Sequence, residues 1–540
     1  MAENAADVSE RVQDGPEVRT RGGALRGSLK DGVAAFLGVP YAQAPVGALR
    51  FRAPEPAGPW DGVREATAFG PTAPKRPYSP PLDALLPDPD VEGDDCLNLN
   101  VWAPWGPSGP AAPEDGTSED GIPGDGIPGD GIPGDGISDD GISDDGVSGD
   151  ERPEAGRPVM VWIHGGSLIH GSSAVPVYDG TAFARDGVVL VSVNYRLGVE
   201  GFGVFPDAPA NLGLRDQIAA LAWVRENVAA FGGDPERVTV FGESAGAISI
   251  AALLASPLAK GLFRRAVVQS GAPITQPLAT ARRTTEAVAA RLKVPATAEA
   301  FARVDRERLL AAQTEVTGKG SPLSGGHSFQ IVVDGEVLPR DPAEALTDGA
   351  SAEVDLLMGT TTEEYRLWFV PSGVTDRVGP WVQRLLLRKA KVPSRTAKVY
   401  RAGRPLEKPG EVLGALATDK LLRIPLNALA DARLRAGASA GTHLYEFGWR
   451  SPVLDLGACH ALELGFVFDT LDLPETRALT GPEAPQELAT AMHAAWVAFA
   501  ATGEPGWRRW DSARPVMTFG PGLPSLVEAP REAERRAWEV

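Results

Sequence analysis

Ser244 stands at the centre of "VTVFGESAGAISIAALLAS", residues Val238 to Ser256. An apolar, β-branched run precedes it and a small-residue run follows, so the spacing predicts a strand turning directly into a helix. A Gly-x-Ser-x-Gly pattern at such a turn pushes the serine hydroxyl out of the surface, and the glycines two residues away on either side avoid a clash. The helix that follows aims its N-terminal dipole at the hydroxyl and favours negative charge there. The bland reading of Ser244, a helix cap, explains neither glycine. The chemistry implied is nucleophilic attack, which needs a base to take the hydroxyl proton.

In this arrangement the acid and then the histidine follow the serine along the chain. Six histidines exist, and order removes His164 and His170. His443 falls in the strand-like "THLYEF" and His493 in the helical "ELATAMHAAWVAFAATG", which suit packed rings. His327, in the loop "SPLSGGHSF", leaves almost no chain for a strand-borne acid before it. His460, in "LDLGACHALELGFVF", follows a strand and a glycine and is favoured by position. For the acid, "LLMGTTTEEY" ends a strand just before Glu363 and Glu364, and the pattern leaves the choice open. Attack on a carbonyl also builds an oxyanion that fixed N–H donors must meet. The amide of Ala245 supplies one, and the Gly pair of "HGGS", His164 to Ser167, can bring others close.

These groups require a scaffold. "PVMVWIHGG", "GVVLVSVNYR", "VTVFG", "RRAVVQSGAP", "EVDLLMGTTTEEY" and "GTHLYEFGW" read as strands, with helical periodicity in "LRDQIAALAWVRENVAAFGG" and "ATARRTTEAVAARL" between them. Near-continuous apolar strands alternating with helices predict an α/β fold: a large, mostly parallel sheet covered on both faces. The Gly- and Pro-rich N-terminal third predicts antiparallel strands and loops. Reactive groups then belong at the carboxyl ends of the strands.

The chain has 540 residues and a formal charge of −19, but thirteen carboxylates and no Lys or Arg lie between Pro104 and Glu151, which leaves −6 for the rest. No basic surface is concentrated enough for nucleic-acid binding. Six Asp/Gly pentads, Asp120 to Gly149, cannot bury enough apolar area to offset their ordering. They read as a surface-loop insertion, at about 105–156, between two paired strands. Weak calcium binding by the pentads is the rival reading, and their spacing is that of neither an EF-hand loop nor the glycine-rich nonapeptide repeat. No run of eighteen apolar residues is present, so no membrane span is expected, and the polar, acidic stretch at 1–20 does not read as a secretory signal. Two cysteines, Cys96 and Cys459, make no disulfide framework, which fits a cytoplasmic protein.

The chain resembles the type-B carboxylesterases of the α/β-hydrolase fold, bacterial para-nitrobenzyl-esterase-like members among them. The likeness runs from about Val18 to about Trp510 through "FLGVPYAQAPVGALRFRAPEP", "DDCLNLNVW", "VSVNYRLGVEGF", the Ser244 segment and "HALELGFVF". The resemblance implies a Ser-Glu-His triad of Ser244, Glu364 and His460, with oxyanion-hole amides from Gly166, Ser167 and Ala245 and a supporting Ser270. Ser167 replaces a Gly or Ala usual in the family. Many eukaryotic members tie a loop to the cysteine equivalent to Cys96; no earlier cysteine exists here, so the loop "PTAPKRPYSPPLDALLPDPDVEG" is expected to be untethered and mobile, unlike a fixed lipase lid. Cys459 is expected to be inert.

The expectation is a single catalytic domain over 15–540 behind a flexible tail at 1–14. The reaction expected is hydrolysis of small-molecule carboxylic esters through an acyl-enzyme, with no cofactor, no metal, no nucleic-acid or membrane partner, and a monomeric or weakly dimeric state. The alternatives are a lipase, an amide or carbamate hydrolase with the same triad, or a non-catalytic binding member of the family.

Overall fold

The computed structural model describes residues 15–106, 156–318 and 326–539. The tail at 1–14 and the pentads lie outside the described residues.

An eleven-stranded sheet runs through the molecule. Its strands are β1 (Ser28–Lys30), β2 (Val33–Pro40), β3 (Asn98–Pro104), β4 (Arg157–Ile163), β5 (Val189–Val193), β6 (Gly233–Glu243), β7 (Arg265–Gln269), β8 (Asp355–Thr361), β9 (Thr442–Phe447), β10 (Pro515–Phe519) and β11 (Ser525–Glu528). Their spatial order is β1-β2-β3-β5-β4-β6-β7-β8-β9-β10-β11. Pairing is parallel from β5 through β4 to β10 and antiparallel at both ends. A three-stranded sheet, Glu17–Arg19, Ala24–Arg26 and Val63–Glu65, stands apart.

The fold expectation therefore holds, with one correction. β3 and β4, which flank the acidic insertion, do not pair with each other, because β5 lies between them. Both strands are apolar enough to read as neighbours, but pairing depends on the right-handed crossovers that cover the sheet, and residue types alone do not reveal it.

The strands read as continuous apolar runs because both faces are covered. On β4, Val159, Val161 and Ile163 enter one core and Met160 and Trp162 the other. On β8, Leu356 and Met358 face the first core and Leu357 the second. This is the period-two alternation of a strand, applied to a sheet with no wet face. The helix Leu212–Asn227 packs into the first core and Gln486–Thr502 into the second. The latter ends at Gly503, whose φ of 86° supplies the left-handed stop.

Between β8 and β9 the chain leaves the sheet for a set of short helices, from Arg366–Phe369 to Ile424–Ala436. They hold a small core of their own, Leu387, Ala397, Tyr400, Val412 and Leu416.

Candidate active site

The elbow at Ser244 is built by sterics. Ser244 has φ 55° and ψ −119°, a strained conformation between the end of β6 and the helix Ala245–Ala255. Its amide donates to Gln269 O at 2.9 Å, tying the turn to β7. A Cβ on Gly242 would lie 2.6 Å from Ile163 O, and one on Gly246 would overlap the same carbonyl. The two glycines are thus required by the end of β4, which the turn crosses closely.

That strand leads into the glycine turn. Gly166, Ser167 and Leu168 all have positive φ, at 106°, 55° and 62°. Gly166 O accepts from the amides of Ile169 and His170 at 3.0 and 2.8 Å, closing the turn on itself. Burial pulls the His164 ring down to about 4, so it is neutral at pH 7, and its Nδ1–H donates to Gly165 O at 2.8 Å. This fixes the Gly165–Gly166 peptide plane, with the Gly166 N–H on the side away from His164. A Cβ on Gly165 would sit 3.2 Å from Ser244 Cβ, so the turn abuts the serine. Gly166 and Ser167, from this turn, and Ser244 line one cavity of about 90 Å³. Ala245 is the first residue of the helix behind the serine.

His460 lines the same cavity. Its Nδ1–H donates to Glu364 Oε2 at 2.5 Å, while Glu364 Oε1 accepts from the Thr361 amide at 2.9 Å. Both residues are buried, at 6% and 2% exposure. Glu363 turns the other way, accepting from the Ala458 amide at 2.9 Å and pairing with Arg450. Of the two adjacent glutamates, Glu364 is therefore the one that reaches His460. Trp368 packs over the imidazole with ring centroids 4.8 Å apart.

The other edge of the ring meets an unexpected partner. His460 Nε2 lies 2.9 Å from Glu243 Oε1, so in this arrangement it contacts the residue before Ser244 rather than the Ser244 hydroxyl. Burial alone would pull the imidazole down, but the Glu243 and Glu364 carboxylates outweigh it and hold His460 well above the usual imidazole range. Burial raises Glu243 in turn, with His460 opposing. Glu463, fully buried three residues after His460, is pushed up to about 8 by burial and then by Glu243 and Glu364. Its Oε1 accepts from Gln269 Nε2 at 3.4 Å. Glu243 and Glu463 are thus each raised further by the charge of neighbouring carboxyls.

Glu243, Glu463 and Trp368 were not singled out from sequence. Glu243 sits inside the serine motif, and that position was its only signal. Ser270, at φ 51°, follows β7 and its amide donates to Gly359 O at 2.8 Å. The remaining histidines are elsewhere: His443 is fully buried in β9, His493 Nδ1–H donates to Val467 O at 2.8 Å, and His327 is 3.3 Å from Thr284. Burial raises the Cys459 thiol well above its usual range, in keeping with an inert side chain.

The loop expected to be free is held. Lys75 Nζ, its side chain 1% exposed, donates to Pro89 O at 2.6 Å and lies 3.5 Å from Asp88 Oδ1. Thr72 and Val91 exchange backbone and side-chain hydrogen bonds across the same closure. A buried ion pair and a short ladder replace the missing disulfide.

The carboxylesterase family profile matches residues 14–519. A para-nitrobenzyl esterase of Bacillus subtilis (strain 168) is 35% identical over 502 residues, 90% of each chain. A phenmedipham hydrolase of Pseudarthrobacter oxydans is 34% identical over 511 residues, 91% of this chain and 90% of that one. A Geobacillus stearothermophilus carboxylesterase, solved at pH 6.2, superposes with a TM-score of 0.78 at 34% identity, covering 97% of this chain and 99% of that one.

Proposed function

Since the chain belongs to the carboxylesterase family and is a carboxylic ester hydrolase, we propose that it works through an acyl-enzyme on Ser244, with His460 as the base and Glu364 as its partner. The observation that carries the reading is the 2.5 Å bond from His460 Nδ1 to Glu364, which aims the ring's other nitrogen into the cavity that Ser244 lines. With an ester bound, Nε2 leaves its proton on Glu243, whose burial favours the neutral carboxyl, and takes the neighbouring hydroxyl as its partner. Ser244 Oγ attacks the carbonyl carbon as its proton passes to Nε2, and Glu364 stabilises the imidazolium. The oxyanion is met by the amides of Gly166, Ser167 and Ala245. The imidazolium then protonates the departing alcohol, and water, deprotonated by the same nitrogen, releases the acid.

Apolar side chains such as Leu82, Leu86, Val175 and Val177 line the narrow cavity and support small, apolar esters over long-chain lipids. An amide or carbamate carbonyl would meet the same groups. The cytoplasm is the proposed compartment, supported by two free, buried cysteines; among the described residues no helix is long and apolar enough to cross a membrane. A monomer or weak homodimer is the proposed state. Intact-mass spectrometry after treatment with an organophosphonate tests the centre: one adduct on Ser244, absent in Ser244→Ala, is expected. An adduct elsewhere overturns it.

A further inference from the structure

Asp88 is buried at 4% side-chain exposure and touches two different parts of the molecule. On its own loop it faces Lys75 Nζ at 3.5 Å. On the glycine turn, its Oδ1 accepts from the Gly171 amide at 3.1 Å and its Oδ2 lies 3.4 Å from His170 Nδ1. His170 Nδ1–H in turn donates to Arg76 O at 2.9 Å, and its ring stacks on Tyr78 at 4.2 Å. Tyr78 lines the cavity, as do Leu82, Leu85 and Leu86 from the same loop.

Gly171 ends the turn that begins with Gly165 and Gly166. A Cβ on Gly171 would lie 2.6 Å from Gly165 O, and one on Gly166 would overlap the His170 carbonyl. The two ends of the turn are therefore in contact, and a shift of His170–Gly171 is transmitted to the Gly166 amide. The positive φ values at Ser167 and Leu168 mean that the turn does not keep its shape through local preference. Contacts from outside hold it at two points: Leu168 O accepts from the Gly198 amide at 2.7 Å, and Asp88 holds the Gly171 end.

Resting on the acyl-enzyme reading above, we propose that Asp88, neutralised by Lys75, is a positioning residue that fixes the oxyanion-stabilising turn and joins it to the cavity wall formed by residues 78–86. Lys75 compensates the charge; the hydrogen bond to the Gly171 amide sets the geometry. Loss of that bond loosens the donors for the oxyanion without removing any of them, so the transition state suffers and ground-state binding does not.

The test uses the full-length protein and a matched pair of double variants, K75M/D88N and K75M/D88L. Both remove the buried charges, and Asn and Leu are nearly isosteric; only Asn keeps an acceptor for Gly171. With p-nitrophenyl acetate, K75M/D88L is expected to lose roughly ten- to hundredfold in kcat, with KM within about threefold. K75M/D88N is expected to rescue most of that loss. A trifluoromethyl ketone, which forms an oxyanion on the serine, should lose affinity in proportion to kcat/KM. Melting temperatures of the pair, measured alongside, should differ by only about a degree or two, the cost of the stranded Gly171 amide, with both variants folded at the assay temperature. Equal kcat in the two doubles overturns the proposal, as does a loss confined to KM with inhibitor affinity unchanged. Should K75M/D88L fail to fold, D88N and D88A alone, compared by the same ketone affinity, decide the question. Wild-type protein that takes a phosphonate somewhere other than Ser244 overturns the site assignment as well, whereas labelled Ser244 with equal doubles overturns the role of Asp88 alone.

Discussion

His460 Nε2 lies 2.9 Å from Glu243 Oε1, on the opposite edge of the ring from Glu364. The imidazole is thus clamped between two carboxyls, and Glu243 contributes the larger of the two charge effects that raise it. A raised histidine holds its proton to higher pH, and a protonated ring cannot act as a base. The acid limb of kcat/KM is therefore expected above the usual imidazole range near 6.5. Glu243→Gln removes that charge, so the limb should move to lower pH. A pH profile of kcat/KM for p-nitrophenyl acetate checks this; a limb that stays put shows that Glu243 does not govern the base.

Glu463 is held up to about 8 by burial, against a carboxyl value of 4.5 in the unfolded chain. Above 4.5 the unfolded chain releases a proton that the folded one retains. Stability then falls as pH rises, until both states are ionised above about 8 and the penalty levels off. Glu463→Gln keeps an acceptor for Gln269 and removes the titration. The variant is expected to match wild type near pH 4.5 and to gain an advantage that grows towards pH 8, amounting to a few degrees in melting temperature. Thermal scans across that range provide the measurement.

Under the proposed mechanism the two glutamates after β8 are expected to separate by role. Glu364→Gln leaves the neutral ring with the wrong proton placement, and kcat is expected to fall on the order of 10³-fold or more with little change in stability. Glu363→Gln loses charge from contacts with Arg450 and Arg366 and is expected to cost about 1–2 kcal/mol of stability with kcat near wild type. Steady-state rates and melting curves on the same preparations distinguish the two.

What could be read from sequence follows from how local each signal is. Ser244 and its glycines were legible because the strand, the elbow and the helix are contiguous and the clash they avoid recurs wherever that turn is made. The parallel sheet was legible because strands buried on both faces must be apolar almost throughout, as the run Val159–Ile163 of β4 is. Glu363 and Glu364 were not separable by pattern, since adjacent residues diverge only once Ala458 and His460 are in place to receive them. Glu243 stood in plain view without a role because its partner is far downstream in the chain. The loop over 71–93 was misjudged for a different reason: cysteine absence is visible, whereas Lys75 and Asp88 look like ordinary surface charges until folding buries them together. The helices between β8 and β9 escaped because Gly379, Pro393 and Pro409 read as loop signals, whereas each stands at the start of a helix.

The crossing of the serine turn over β4 gives the last prediction. Neither Gly242 nor Gly246 has a positive φ, so an alanine at either position meets no backbone penalty; its cost is the collision with Ile163 O. That carbonyl is backbone at the end of a central strand and has little freedom to yield. Relief requires the elbow and β4 to move apart, and β4 runs directly into the glycine turn at His164, so the strain falls on both halves of the site. Gly246→Ala is expected to destabilise by about 3 kcal/mol, the upper range for overpacking, and to slow phosphonate labelling of Ser244 at temperatures where the protein is still folded. Gly242→Ala, with its clash at 2.6 Å, should be the milder of the two. Gly58→Ala is the control, since a Cβ there meets nothing within 4 Å. Melting curves and labelling rates that leave Gly246→Ala beside Gly58→Ala would mean that the turn clears the strand by some other adjustment.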